Sequence, residues 1–477
     1  MIEALRLRNL KSFRDTAEIP IRPITVLAGP NSAGKSSILQ SLLLLKQTLE
    51  SEVSDAPLAL DGRFLQVSQF NELAFQKPRP SSAEIEYQVR LGGVISADDM
   101  SPYFLEWPSY PTRPWASFQC TLAWTYHSER APGETLRVVV SSFDEELQAF
   151  GLRGSFHARW MPRAKRYSGK LEGLELLPES RGQPMAGVGF RHFLPDHVLL
   201  QFRGSSHRRE GLTVAPLPMP LAQPVADLRA LLQRQLHYLG PLREEPKRAY
   251  LHLGTSQPEI GQRGEFAAQV LWLERNDVVQ YRPSPESGVE EARLLDAVND
   301  AFGRLGIAQP ITVRSDRSIT YQLLFNIAGR QDEQVTIADV GFGVSQLLPV
   351  VVLTLRSHTP ALLLFEQPEI HLHPRLQANL ADFFIAASSS EKRIIIETHS
   401  DHFINRLRRR IAEDPTDELS ERIAILFVRA FEEEAHVEPL EVDRYGVIKN
   451  WPPDFLPESA DEAEAIFRAG LEKRKGE

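Results

Sequence analysis

Gly29-Pro30-Asn31-Ser32-Ala33-Gly34-Lys35-Ser36 sets two glycines, a lysine and a hydroxyl at the spacing G-x-x-x-x-G-K-[ST]. Each fixed position has a chemical use. The glycines let the backbone turn until successive N–H groups point at phosphate oxygens, the lysine adds a mobile ammonium, and the serine offers a hydroxyl to Mg²⁺. The flanking residues suit such a loop. Ile24–Ala28 predicts a short buried strand, and Ser37 to Leu49 predicts a helix with Ile38, Leu39, Leu42, Leu43 and Leu49 on its inner side. Strand, loop and helix in that order aim a helix N-terminus at an anion. The segment reads as a nucleotide-binding loop.

Further polar clusters end or begin apolar runs far downstream. Ala361-Leu362-Leu363-Leu364-Phe365 predicts a central parallel strand buried on both faces, closing in Glu366-Gln367-Pro368-Glu369. Doubly wound sheets bind ligands at the carboxyl ends of their strands, so a carboxylate there can hold Mg²⁺ opposite Ser36. The same acids would equally cap the following helix. Arg393-Ile394-Ile395-Ile396-Glu397-Thr398-His399-Ser400 repeats the pattern, and His399 could reach a terminal phosphate or the water attacking it. Asp339-Val340-Gly341-Phe342-Gly343-Val344-Ser345-Gln346 sets glycines ahead of the apolar run Leu347–Leu355. Free N–H groups there suit a second anion, one held by another subunit; the plain alternative is an ordinary loop-to-helix turn.

The scaffold for these clusters is bounded by composition. At 477 residues the chain can hold two or three domains, or one large head with an insertion. An apolar share of 42% and a charged share of 25% are those of a soluble globular protein. No uncharged apolar run approaches the roughly 18 residues of a membrane span, and Met1–Leu10, with Glu3, Arg6 and Arg8, alternates as a strand instead of forming a leader. Cys120 is the only cysteine, which excludes intrachain disulfides and points to a cytoplasmic setting. The net charge of −9 argues against a uniformly basic nucleic-acid binder. A local patch remains open: Arg406-Leu407-Arg408-Arg409-Arg410 could touch nucleic-acid phosphates, be a solvated helix face, or meet an acidic partner. His371 and His373, two apart with no cysteine near, do not make a zinc site.

Five stretches follow. Residues 1–75 form a nucleotide-binding start, the first part of the expected head. Residues 78–220, with short alternating segments, turn signals such as Pro132-Gly133, and Trp107, Trp115, Trp124 and Trp160, predict a β-rich insertion packed on that head. Residues 225–310 predict a helical segment, with helices at Val225 to Leu236 and Glu290 to Leu305. Residues 311–443 alternate strands and helices and form the second part of the head; residues 444–477 are a tail. The expected class is α/β: a mixed sheet around the phosphate loop plus a β-rich insertion, with no heptad run long enough for a coiled coil.

In order along the chain, Gly29–Ser36, Gly341–Gln346, Glu366-Gln367-Pro368-Glu369-Ile370-His371-Leu372-His373-Pro374 and Glu397–Ser400 resemble prokaryotic ABC-type ATPase heads related to SMC proteins. Within these the set is most similar to the overcoming-lysogenization-defect (OLD)-like group. Tyr238–Glu244, Gly261–Glu265 and Tyr445–Pro452 resemble segments of one branch of it. The resemblance implies that the four segments are Walker A loop, signature motif, Walker B strand with D-loop, and switch histidine. It implies ATP and Mg²⁺ sandwiched between two heads. Gly29, Asn31, Gly34, Lys35 and Ser37 would cradle the phosphates and Ser36 and Glu366 hold Mg²⁺. Gln367 or Glu369 would position water, His399 would sense the γ-phosphate, and Gly343 and Ser345 would act across the dimer. Either Gln66 or Gln69 would be the Q-loop glutamine.

The family further implies antiphage defence, often beside a nuclease. This chain departs from it in having no long coiled coil and no room after the last motif for a nuclease-type domain. In addition, Gln367 stands where many heads carry the water-activating glutamate. The expectation is a slowly hydrolysing ATPase that dimerises on ATP and regulates a separate effector. The alternatives are a DNA-repair or recombination ATPase, and a nucleotide-gated scaffold with little hydrolysis.

Overall fold

The computed structural model describes residues 1–96, 115–129, 137–149, 152–172, 185–203, 210–217, 219–251, 259–307, 310–316, 320–327, 330–389, 391–450 and 452. Two large sheets enclose one helix. The first sheet runs in the order Leu236–Leu239, Ala361–Glu366, Lys392–Glu397, Ile24–Ala28, Ile423–Phe431 and Glu434–Pro439; the first five strands are parallel and the last is antiparallel. Successive side chains on a strand point to opposite faces. Leu27, Leu362, Leu364, Ile395 and Leu426 therefore enter one core with the phosphate-loop helix Lys35–Glu50. Val26, Leu363, Phe365, Ile394, Ile396 and Ile425 enter another, with the helices Phe342–Arg356, Pro374–Ala387 and Asp401–Glu413. A strand covered on both faces must be apolar at every position, which explains the unbroken run Ala361–Phe365.

The second sheet is antiparallel throughout. Ile2–Leu10 pairs with Phe13–Asp15, Ile19–Pro20 and Glu84–Ser96. From Glu84–Ser96 the chain meanders through Trp115–Glu129, Arg137–Ala149, Leu152–Met161, Arg166–Glu172, Met185–Arg191, Leu194–Arg203 and Glu210–Pro216, each pairing with its predecessor. The strands between 84 and 216 thus extend a sheet that the N-terminal strand begins. Trp124 is fully buried, stacked on Tyr87 at 5.5 Å and on Phe193 at 5.0 Å, and Trp160 packs on Tyr167 at 4.9 Å. Trp107 and Pro132-Gly133 lie outside the described residues, as does the side chain of Trp115.

The helix Lys35–Glu50 corrects a detail of the sequence reading. It has no outer side over its second half: every residue from Ser41 to Leu49 is buried. One flank faces the parallel sheet and the other faces Leu5, Leu7, Tyr87, Val89 and Leu122 of the antiparallel one. A helix covered all round is apolar all round, so Leu44 and Leu45 belong to the core as much as Leu42 and Leu43.

The expected helical segment 225–310 is mixed. Helix Met219–Ala230 widens into a turn at Leu231–Gln235, and Leu236–Leu239 is a strand beside Ala361–Glu366. Glu290–Arg293 pairs with Val278–Tyr281 as a hairpin, and the helix starts only at Leu294, running to Leu305. Four residues are too few to tell a period of 2 from one of 3.6, and the hairpin partner decides between them. A small sheet of Tyr250–Leu251, Ile311–Asp316, Thr320–Ile327 and Arg330–Thr336 lies alongside. Among the described residues the longest helix has 16 residues, there is no coiled-coil arm, and no helix is long and apolar enough to cross a membrane.

Candidate functional site

Strand Ile24–Ala28 delivers the chain to Gly29, whose φ is 137° and where a Cβ would stand 2.0 Å from the Val428 carbonyl oxygen. Gly34, at φ 107°, turns the chain into the helix Lys35–Glu50. Lys35 is 3% exposed, and its Nζ donates to the Gly29 oxygen at 2.9 Å and the Pro30 oxygen at 2.6 Å. Burial lowers its pKa, with Glu397 opposing. An ammonium resting on its own loop's carbonyls can exchange them for phosphate oxygens, which bind it more strongly. Asn31 is exposed on the loop, and the Ser37 N–H donates to the Gly34 oxygen at 3.0 Å.

Beside the loop two carboxylates stand in register on neighbouring parallel strands, Glu366 and Glu397. The Ser36 hydroxyl donates to Glu397, at 2.8 and 3.1 Å. Glu366 instead accepts from the Tyr238 hydroxyl at 2.9 Å. Burial and then the charge of Glu397 push Glu366 up to about 7, against that hydrogen bond and the charges of Arg243 and Lys11. Burial also raises Glu397, with Ser36 and Lys35 opposing. Two acids that resist ionising together favour a divalent cation. Among the described residues no three His, Cys, Asp or Glu side chains converge as a complete metal cage. Mg²⁺ takes one or two carboxylates and completes its shell with water and substrate phosphates.

Glu369 is 7% exposed. Its Oε1 accepts from the Thr398 hydroxyl at 2.6 Å and the His399 N–H at 3.0 Å, tying the acidic segment to the histidine segment. Gln367, between the acids, sits at φ 46°, donates its N–H to the Glu397 oxygen at 2.8 Å and accepts from Arg243 Nη1 at 3.3 Å. A left-handed non-glycine backbone of this kind costs on the order of 1 kcal/mol and clusters at ligand sites. The His399 side chain meets the Gly29 backbone; burial first, then Lys35, lower its pKa.

Loop, Glu366, Gln367, Glu369 and His399 therefore share one locality at the carboxyl ends of the strands. Gly343 and Ser345 stand at the start of the helix Phe342–Arg356, where a Cβ on Gly343 would come 2.9 Å from the His371 oxygen. The glycine is thus required within its own chain. Ser345 is buried. Gln66 and Gln69 are both exposed on a segment that Phe64 pins edge-on to Tyr238 at 6.1 Å, and neither is singled out.

Four groups escaped the sequence reading as site residues. Glu397 was visible only as a strand's last residue. Tyr238 lies in the edge strand Leu236–Leu239 and Arg243 follows it, neither beside a phosphate-loop signature. Arg243 is 4% exposed, lowered to about 10 by burial despite Glu369, Tyr238 and Glu366. Lys11, whose charge Glu366 feels, sits in a turn after the first strand.

The arginine run is neutralised internally. Arg406 and Arg410 both pair with Asp382, at 2.5 and 2.7 Å, Arg410 also meets Glu286 and Glu413, and Arg409 meets Glu413. Arg408 donates to the Gly446 oxygen. His373 caps the helix Pro374–Ala387 by accepting the Arg375 N–H.

The family of AAA ATPase domains matches residues 1–84 and 286–404, and a family of proteins of unknown function (DUF3696) matches residues 420–466. No curated protein matches the chain. Solved SMC heads align along nearly all of it but superpose loosely. A head bound to the C-winged helix domain of ScpA is 13% identical, covering 93% of this chain and 98% of that one, with a TM-score of 0.43. A head from Thermotoga maritima is 12% identical, covering 92% and 99%, at 0.38. A head with an extended coiled coil bound to the C-terminal domain of ScpA, from Pyrococcus furiosus, is 12% identical, covering 98% of each, at 0.40. The two segments similar to the AAA ATPase domain contain the phosphate loop, both acidic segments, Gly343, Ser345 and His399.

Proposed function

We propose that the chain binds ATP with Mg²⁺ at Gly29–Ser36, hydrolyses it slowly, and pairs with a second copy through the bound nucleotide. The observation that carries this reading is the Lys35 ammonium held on the Gly29 and Pro30 carbonyls beside the Ser36–Glu397–Glu366 cluster. Gly29, Asn31, Gly34, Lys35 and Ser37 hold the phosphates. Ser36, Glu366 and Glu397 hold Mg²⁺, which when bound neutralises charge on the phosphates. Gln367 can orient a water but cannot accept its proton. Glu369, anchored to Thr398 and His399, keeps the histidine over the loop. Turnover is slow because Gln367 offers no general base.

Gly343 and Ser345 meet the nucleotide of the second copy, and the paired state regulates a separate effector in antiphage defence, as the resemblance to the OLD-like group implies. Gln367 also favours a second reading, a nucleotide-gated scaffold with almost no hydrolysis. Single-turnover hydrolysis and sedimentation, each with and without ATP and Mg²⁺, test both readings. ATP-dependent pairing with measurable hydrolysis supports the first, pairing without hydrolysis the second, and no nucleotide binding ends both.

A further inference from the structure

At the opposite end of the parallel sheet lies a cavity of about 480 Å³. It is bounded by the hairpin of Val278–Tyr281 and Glu290–Arg293 and by the last turns of the helices Phe342–Arg356 and Pro374–Ala387. Lys392, first residue of the strand that ends at Glu397, lines it and is 8% exposed. Five residues of strand put it roughly 16 Å from Glu397, at about 3.3 Å per residue.

Lys392 is an unusual thing to bury. Its Nζ donates to the Thr354 oxygen at 3.2 Å, and among the described residues no carboxylate pairs with it. Burial alone brings its pKa down to about 8. A carbonyl at a helix end accounts for one of three ammonium protons; a buried charge without a counter-ion otherwise costs several kcal/mol. Arg282 lines the same cavity on its exposed side and is close enough to Arg422 to depress that residue's pKa. Among the described residues Glu291 is the one acid on the wall, and it accepts from Gln280 at 3.0 Å. Val289 and Phe383 supply apolar wall.

We propose that this cavity is a second ligand site, separate from the phosphate loop, taking a small organic anion whose carboxylate or phosphate oxygens meet Lys392 and Arg282. The volume suits a metabolite-sized ligand, and the buried ammonium gives it an anchor that surface lysines lack.

The test titrates citrate and glucose 6-phosphate separately, at constant ionic strength, into the full chain and into Lys392→Met, Arg282→Gln and Lys35→Ala. The two probes distinguish a carboxylate from a phosphate ligand. Calorimetry should find one site per chain for at least one probe, intact in Lys35→Ala and weakened about tenfold or more in Lys392→Met. Arg282→Gln, at an exposed position, folds regardless and should weaken the same probe. Failure of both probes to bind the wild type overturns the proposal. Affinity unchanged in the two cavity variants does so too, leaving Lys392 as a helix cap only. So does binding lost in Lys35→Ala alone, which would put the anion in the phosphate loop.

Discussion

Replacing Glu366 with Gln should make the metal-free protein more stable at pH 8 and leave it nearly unchanged at pH 4. The wild-type carboxyl titrates near 7 in the folded chain, against an ordinary 4.5, because burial and Glu397 disfavour its charge. A folded-state pKa raised in this way means that the native protein holds the proton longer than the unfolded chain does. Wild-type stability must then fall as pH rises from about 4.5 to about 7, the range where only the unfolded chain releases it. The displacement is worth on the order of 3 kcal/mol, at about 1.4 kcal/mol for each tenfold in the proton equilibrium. Glutamine keeps an acceptor for the Tyr238 hydroxyl and removes the charge. Urea-unfolding midpoints from pH 4 to 8.5, without nucleotide, should therefore converge at the acid end and separate at the alkaline end, the variant above. Added Mg²⁺ should raise the wild type at pH 8 and spare the variant. Midpoints that run parallel across the whole range would refute the reasoning, since a purely steric effect of the substitution has no pH dependence.

Lys35→Ala should remove most ATP affinity, measured with a fluorescent analogue; wild-type binding by that variant would misplace the nucleotide. Gln367→Glu introduces a general base without changing the backbone demand at φ 46°, and single-turnover hydrolysis should speed up about tenfold or more. A rate no faster than wild type would count against Gln367 as the reason for slow turnover. Leu44→Ala, on the flank of its helix that simple amphipathicity would leave outside, should cost about 2–5 kcal/mol by urea unfolding, as a core leucine does. A loss under 1 kcal/mol would mean that flank is not packed. Asp382→Asn releases Arg406 and leaves Arg410 only Glu286 and Glu413, so weak, salt-sensitive DNA binding should appear or grow in a filter assay. No change on releasing them would leave the run without a nucleic-acid role.

Legibility in the sequence followed the range of each signal. The phosphate loop, the strand Ala361–Phe365 and the strand ending at Glu397 were readable because a strand buried on both faces writes itself as an uninterrupted apolar run. The loop chemistry is likewise confined to eight consecutive residues. What failed were properties set by a partner elsewhere in the chain. Glu397 was not singled out as a partner of Ser36, although strand register brings its carboxylate to the hydroxyl. Glu290–Arg293 satisfied a helical period until its hairpin partner was known. Which acid the arginine run would meet was not legible, because nothing local marks Asp382 on the neighbouring helix as its counter-ion. Lys11, Tyr238 and Arg243 reach the acidic cluster only through tertiary packing, and no spacing in the sequence marks them.

The strand that carries the phosphate loop has both its neighbours in the last quarter of the chain. Ile24–Ala28 pairs with Lys392–Glu397 on one side and Ile423–Phe431 on the other. During synthesis at roughly 5–20 residues per second, it waits on the order of 20–80 s before either partner exists. Ile2–Leu10, by contrast, finds Glu84–Ser96 early, so the antiparallel meander can grow strand by strand while the nucleotide loop has no sheet to belong to. A nascent chain of this design makes its periphery first and its phosphate site last, and a message truncated before residue 423 would leave the loop strand without one of its two neighbours.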